Sequence, residues 1–130
     1  MNLVLDLGNT YGKIAVCEGN SVIESAGYER ITSREIAYFL SKYNGLRGVI
    51  ISSVVNHSRE IIDYLVNLFS TCIELNHSTP IPLENRYQTP DTLGYDRIAA
   101  AVGANTLYPG KNVLVIDTGT AITYDIITAQ

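Results

Sequence analysis

Apolar residues fill positions 2–8 almost without interruption, the pattern of a buried strand. Further apolar runs at 12–18, opened by Gly12, and at 21–27 are set apart by turn residues such as Glu18-Gly19-Asn20, which predicts an antiparallel meander of three strands. The period then changes. Ile36, Phe39, Leu40 and Tyr43 recur at helical spacing, and Thr32 with Glu35 forms a capping box while Ile31 and Ile36 occupy the staple positions. Gly48-Val49-Ile50-Ile51-Ser52-Ser53-Val54 reads as a buried parallel strand. A second helix is expected over about 58–70, with Ile61, Ile62, Leu65, Val66 and Phe69 inward, then a short strand at Cys72-Ile73-Glu74-Leu75. Pro80, Pro82 and Pro90 forbid regular structure between His77 and Thr92, so a long loop is predicted there. A third helix over about 95–107 carries Ile98, Ala99, Val102 and Leu107 and stops near Pro109-Gly110. The layout is mixed α/β.

After that helix the opening pattern returns. Leu3-Val4-Leu5-Asp6-Leu7-Gly8-Asn9-Thr10 and Leu114-Val115-Ile116-Asp117-Thr118-Gly119-Thr120-Ala121 both run from an apolar strand to an Asp, a spacer, a Gly and small polar residues. A spacing this long predicts two related half-domains rather than a solenoid. Backbone N–H groups of two such turns could hold phosphate oxygens, and the two carboxylates the accompanying cations. Taken singly, each is also an ordinary hairpin turn with a capping acid; two copies in matching register are harder to assign to chance. The second copy begins a half-domain at Asn112 that 130 residues do not finish. We therefore expect a piece of a protein about twice as long, or completion by another chain, and an inactive or poorly folded polypeptide if these residues stand alone.

Composition narrows the classes. The apolar fraction of 46% is enough for a core, and no run is long enough for a membrane span. Met1-Asn2-Leu3 leads straight into a strand, so no signal peptide is expected. Cys17 and Cys72 are far apart and read as reduced, core-filling thiols of a cytosolic protein. A net charge of −4 with scattered Arg and Lys argues against nucleic acid as partner. His57 and His77 are unaccompanied by metal-type spacing, so neither is expected to ligate a metal or catalyse.

Chemistry concentrates in three places. Asp6-Leu7-Gly8-Asn9-Thr10-Tyr11-Gly12-Lys13 sets a carboxylate, amide, hydroxyl and ammonium around one tight turn, without the Gly-Lys-Ser/Thr of a P-loop. Asp117 to Thr123 is the second. The third is Asn85-Arg86-Tyr87-Gln88-Thr89-Pro90-Asp91-Thr92-Leu93-Gly94-Tyr95-Asp96-Arg97, where Gly94 permits close approach to the backbone. An acid and an Arg in a first helical turn are often mere dipole and surface charges. The functional alternative makes Asp96 a proton acceptor for a substrate hydroxyl, with Arg97 and Tyr87 orienting the substrate.

In order and spacing the motifs Asp-x-Gly-Asn-Thr-x-x-Lys, Tyr…Pro…Leu-Gly-x-Asp-Arg and Asp-x-Gly-Thr-Ala-x-Thr-x-Asp resemble those of the type III pantothenate kinases. The first and last alone would indicate only the wider acetate kinase, sugar kinase, Hsp70 and actin superfamily; Leu93-Gly94-Tyr95-Asp96-Arg97 is the specific segment. The resemblance implies a ribonuclease H-like mixed sheet with helices, an actin-like ATPase half-domain over 1–111, and the first hairpin of a similar half over 112–130. It implies ATP-dependent phosphorylation of pantothenate to 4'-phosphopantothenate, the first step of coenzyme A biosynthesis, in a cytoplasmic homodimer. Residue by residue, Asp6, Leu7, Gly8, Asn9, Thr10, Tyr11, Gly12, Lys13 and Thr120 would bind ATP. Tyr87, Gly94, Tyr95, Asp96 and Arg97 would contact pantothenate, with Asp96 as catalytic base. Asp117 would ligate a monovalent cation, potassium or ammonium, and Asp6 would hold Mg2+ directly or through water. Two other readings are a nucleotide-binding regulatory protein of the same superfamily and a kinase for another small hydroxyl substrate.

Overall fold

The computed structural model describes residues 1–54, 59–119 and 121–129. His57 lies outside the described residues, as do Thr120 and the first residue of the expected second helix. Contacts divide the chain into two compact units, Met1–Asn76 and His77–Gln130.

The first unit is an α/β half-domain of the actin-like ATPase type. Its five-stranded sheet runs β3-β2-β1-β4-β5, from β1 (Asn2–Leu7), β2 (Gly12–Glu18), β3 (Ser21–Tyr28), β4 (Gly48–Ser53) and β5 (Thr71–Glu74). β1, β2 and β3 form the antiparallel meander, while β4 pairs parallel with β1 and β5 parallel with β4. Parallel pairing needs crossovers, and α1 (Ser33–Lys42) and α2 (Arg59–Leu68) supply them. One face of the sheet carries Leu3, Leu5, Leu7, Ile14 and Ile51, all buried with Ile36 and Phe39 of α1 and Leu65 of α2.

Local sequence starts α1. The Thr32 hydroxyl accepts from the Arg34 N–H at 3.2 Å, and the Glu35 carboxylate accepts from the Thr32 N–H at 2.9 Å. The staple residue Ile31 is buried with Ile36. In α2 the buried stripe is centred on Ile62 and Leu65, which leaves Val66 on its rim, 53% exposed rather than inward. β5 begins at Thr71, earlier than the sequence suggests, and Leu75 beyond its end still donates to the Ile51 carbonyl at 2.8 Å. Cys17 and Cys72 are free thiols and both half-buried; Cys72 packs against the core, and burial pushes its thiol up.

The second unit begins with the long loop, interrupted by a single 3-10 turn at Pro90–Thr92. Then come α3 (Tyr95–Leu107) and the antiparallel hairpin of β6 (Val113–Thr118) and β7 (Ile122–Ile127). Within this unit α3 packs on β6 and β7. Ile98 is buried, and Ala101, Val102 and Asn105 continue its stripe at helical spacing. Ala99 and Leu107 fall on the opposite side and are exposed. The hairpin keeps the registered pairs Leu114 with Ile126 and Ile116 with Tyr124 on an exposed apolar face.

Candidate active site

In the first unit Asp6 stands one residue before the end of β1, half-buried, in register with Lys13 on β2 and with Ser52 on β4. Partners in register share a face, so Asp6 has an ammonium-bearing residue on one side and a hydroxyl on the other. The turn that follows is tight. A Cβ on Gly8 would stand 2.6 Å from the Tyr11 carbonyl oxygen, which excludes any side chain without movement of the backbone. Gly12 is closed over by Ile31, whose Cδ1 would lie 2.7 Å from an added Cβ. Asn9, Thr10 and Lys13 are exposed, and Leu7 is buried in the core, so Leu7 offers backbone rather than side chain. The Tyr11 ring lies against Gly27 of β3, at a distance that leaves no room for a Cβ there.

A cavity of about 630 Å³ opens at the carboxyl end of β1, lined in part by Gly8, Asn9, Gly12, Arg30, Thr32 and Tyr64. Carboxyl ends of parallel strands are where open α/β sheets receive ligands, since the turns there present backbone N–H groups. The Ser52 hydroxyl, in register with Asp6, is buried without a hydrogen-bond partner. The same holds for Thr123, in register with Asp117 on the other hairpin. An orphaned buried hydroxyl beside a carboxylate is an oxygen pair suited to a hard cation or its water shell. Among the described residues no three His, Cys, Asp or Glu converge as a metal cluster. Cations at Asp6 and Asp117 would thus draw further oxygens from phosphate, water or backbone, the usual arrangement for magnesium beside a nucleotide.

In the second unit Asp96 occupies the first turn of α3 and is exposed. Its Oδ1 accepts from the Arg97 N–H at 2.9 Å and lies so close to Gly94 that a Cβ there would overlap it. Arg97 points elsewhere. Its Nε donates to Asp125 Oδ2 at 3.0 Å and its Nη2 to Asp125 Oδ1 at 2.6 Å, while the Tyr87 ring centre lies 5.1 Å from the guanidinium carbon. Tyr87 is held by an Asx turn in which Asn85 Oδ1 accepts from the Tyr87 N–H at 3.0 Å. The bond to Asp125 is the main influence raising the Arg97 pKa above its usual value; burial opposes it and the Tyr87 hydroxyl adds to it. Arg97, Asp125, Tyr87, Leu83, Asn105 and Tyr124 all line a second cavity, of about 680 Å³.

A sequence model described as type III pantothenate kinase matches residues 2–130. The chain belongs to the type III pantothenate kinase family. Proteins of that name from Phocaeicola vulgatus and Christiangramia forsetii are 44% identical over 130 residues and 40% identical over 129. They are covered to 53% of their own length, by 100% and 98% of this chain respectively. A relative of the same name from Cytophaga hutchinsonii is 38% identical over 131 residues, with 100% of this chain and 53% of its own covered. The chain spans about half the length of the curated relatives it matches.

For a type III pantothenate kinase chain, the sequence points to Gly94, Tyr95, Asp96 and Arg97 as one substrate segment, and α3 sends them in different directions. Tyr87 and Arg97 converge on one cavity; Asp96 turns back over Gly94. Three residues with a place in this geometry went unassigned in the sequence: Asp125, Ser52 and Thr123. For Asp125 there was a signal, an acid at an inward strand position between Thr123 and Ile127, which demands a cationic partner. Asp6 belongs to the first unit and Asp117 to the second. No helix among the described residues is long and apolar enough to cross a membrane.

Proposed function

We propose that the protein of which these residues form part transfers the γ-phosphoryl group of ATP to the primary hydroxyl of pantothenate, giving 4'-phosphopantothenate and ADP in the cytoplasm. The observation that carries the reading is the family match over residues 2–130. The local geometry agrees with it. Phosphoryl transfer asks mainly for positioning and charge neutralisation. Gly8, Asn9 and Gly12 of the tight turn line a cavity, with Lys13 across from Asp6. Thr120 would complete the phosphate contacts.

Asp96 is the base. One of its oxygens accepts from the Arg97 N–H, which leaves the other for the substrate hydroxyl. As that hydroxyl oxygen attacks phosphorus in line, its proton passes to Asp96 while the bond to the β-phosphate oxygen breaks. Tyr95 and Gly94 shape the approach, and Tyr87 and Arg97 orient the acceptor. Magnesium beside Asp6 and Ser52, and potassium or ammonium beside Asp117 and Thr123, would supply charge neutralisation when bound. The protein acts as a homodimer.

A coupled assay on the intact protein, with ATP and a panel of hydroxyl acceptors in the presence and absence of potassium, tests this. Turnover confined to pantothenate and raised by potassium is expected. Preference for another hydroxyl compound, or nucleotide binding with no acceptor-dependent turnover, would replace the reading.

A further inference from the structure

We propose that Asp125 is a positioning residue for the acceptor, acting through Arg97. A guanidinium has five N–H donors in a rigid plane. Asp125 takes the side-on pair, Nε at 3.0 Å and Nη2 at 2.6 Å. The guanidinium carbon sits over the Tyr87 ring, 5.1 Å from its centre. With the side-on edge bonded to Asp125 and the Tyr87 ring packed against it, the guanidinium is anchored, and the end-on edge, Nη1 with the second hydrogen of Nη2, stays outside the Asp125 pair. Both side chains are about one-fifth exposed, 20% and 19%, in the wall of the same cavity, so an anion entering it meets a preset fork. A carboxylate fits that fork with two parallel bonds. Pantothenate carries one carboxylate, remote from the hydroxyl that is phosphorylated. Around it the cavity offers Leu83, Ile98 and Ile127, an apolar wall suited to the hydrocarbon part of such an acceptor.

The pairing links α3 to β7 across 28 residues of sequence, so it also contributes to packing. The two roles separate experimentally. Positioning predicts an effect on the acceptor alone, one that disappears once Arg97 is gone. The inference rests on the pantothenate reading.

The test is steady-state kinetics of the intact protein carrying Asp125→Asn, Asp125→Glu, Arg97→Gln and the double variant Arg97→Gln/Asp125→Asn. NMR of the Arg97 Nε–H runs alongside. Asp125→Asn should raise KM for pantothenate about tenfold, leave KM for ATP within about twofold of wild type, and abolish the slowly exchanging Nε–H signal. Asp125→Glu, which keeps the carboxylate, should recover most of the loss. If Asp125→Asn does not fold, the comparison of Arg97→Gln with the double variant decides, because neither holds an unpaired guanidinium. Equal pantothenate KM values in those two are expected. A further rise on removing Asp125, or equal shifts for pantothenate and ATP, or an unchanged Nε–H signal would overturn the inference. A wild type inactive on pantothenate would sink the functional reading instead. The Nε–H comparison would then still report on the clamp.

Discussion

Asp96 folds its carboxylate back over the bare α-carbon of Gly94, and a methyl group there would overlap Oδ1. The atom displaced is the end of a flexible side chain rather than backbone, so the collision is relieved by moving the acid. Gly94→Ala should therefore leave the melting temperature nearly unchanged while lowering kcat on the order of a hundredfold. Thermal melts set beside steady-state kinetics check this. A Gly94→Ala protein with wild-type kcat would remove the link between this glycine and the base.

At the other turn the obstacle is backbone. The Tyr11 carbonyl oxygen would be 2.6 Å from a Cβ on Gly8, so Gly8→Ala must reshape the β1–β2 turn. Nucleotide affinity should fall about tenfold or more, roughly 1.4 kcal/mol, with pantothenate affinity much less affected. Titration calorimetry with a non-hydrolysable ATP analogue and, separately, with pantothenate measures both. Unchanged affinity for the analogue would move the phosphates away from this turn.

Removing the N-cap of α1 by Thr32→Ala should destabilise the first unit by about 1 kcal/mol. The Thr32 hydroxyl serves both the Arg34 N–H and the Glu35 carboxylate, so its loss also leaves the reciprocal Glu35 cap without its side-chain partner. Urea unfolding is the measurement. A loss below a few tenths of a kcal/mol would mean that tertiary packing alone holds α1.

The pH dependence of stability follows from the same helix. Bonds from Lys42 first and Tyr43 second hold the Glu24 carboxyl below its ordinary value of 4.5, and the Thr32 hydroxyl does the same for Glu35. A depressed carboxylate stabilises above that ordinary value, and the contribution disappears as pH falls through the lower, folded one. Lys42 is pushed up to about 12 from 10.5, chiefly by its bond to Glu24. That contribution is complete below 10.5 and is lost as pH rises through about 12. Melting temperature should be flat near neutrality and fall at both edges, by small amounts because these groups face solvent. Glu24→Gln should flatten the alkaline edge. An alkaline decline of wild-type size in that variant would point to other groups.

Much of the first unit was legible because its signals are local. Apolar runs ending at Gly8 and Gly19 mark strands and turns, and Thr32 with Glu35 marks a helix start without reference to anything distant. α3 was harder. Ile98, Ala99, Ala100, Ala101 and Val102 are consecutive and apolar, so periodicity does not single out a buried side, and only the fold shows Ile98 buried and Ala99 exposed. Tertiary contact decided the rest. The Tyr11 ring settles on Gly27, and Asp125 meets Arg97 from a strand 28 residues away. The candidate site was readable as motifs. Its division between an acid turned onto Gly94 and a guanidinium turned into a cavity was not, because that depends on the direction of successive side chains on one helix.

Single-turnover phosphoryl transfer by the intact Asp96→Asn variant, followed by mass spectrometry of the pantothenate product, reaches the central claim most directly. Amide for carboxylate keeps the shape of the side chain and removes its ability to take a proton. The rate should drop by roughly two to four orders of magnitude with ATP binding nearly intact. Formation of 4'-phosphopantothenate at close to the wild-type rate would contradict the assignment of Asp96 as the base.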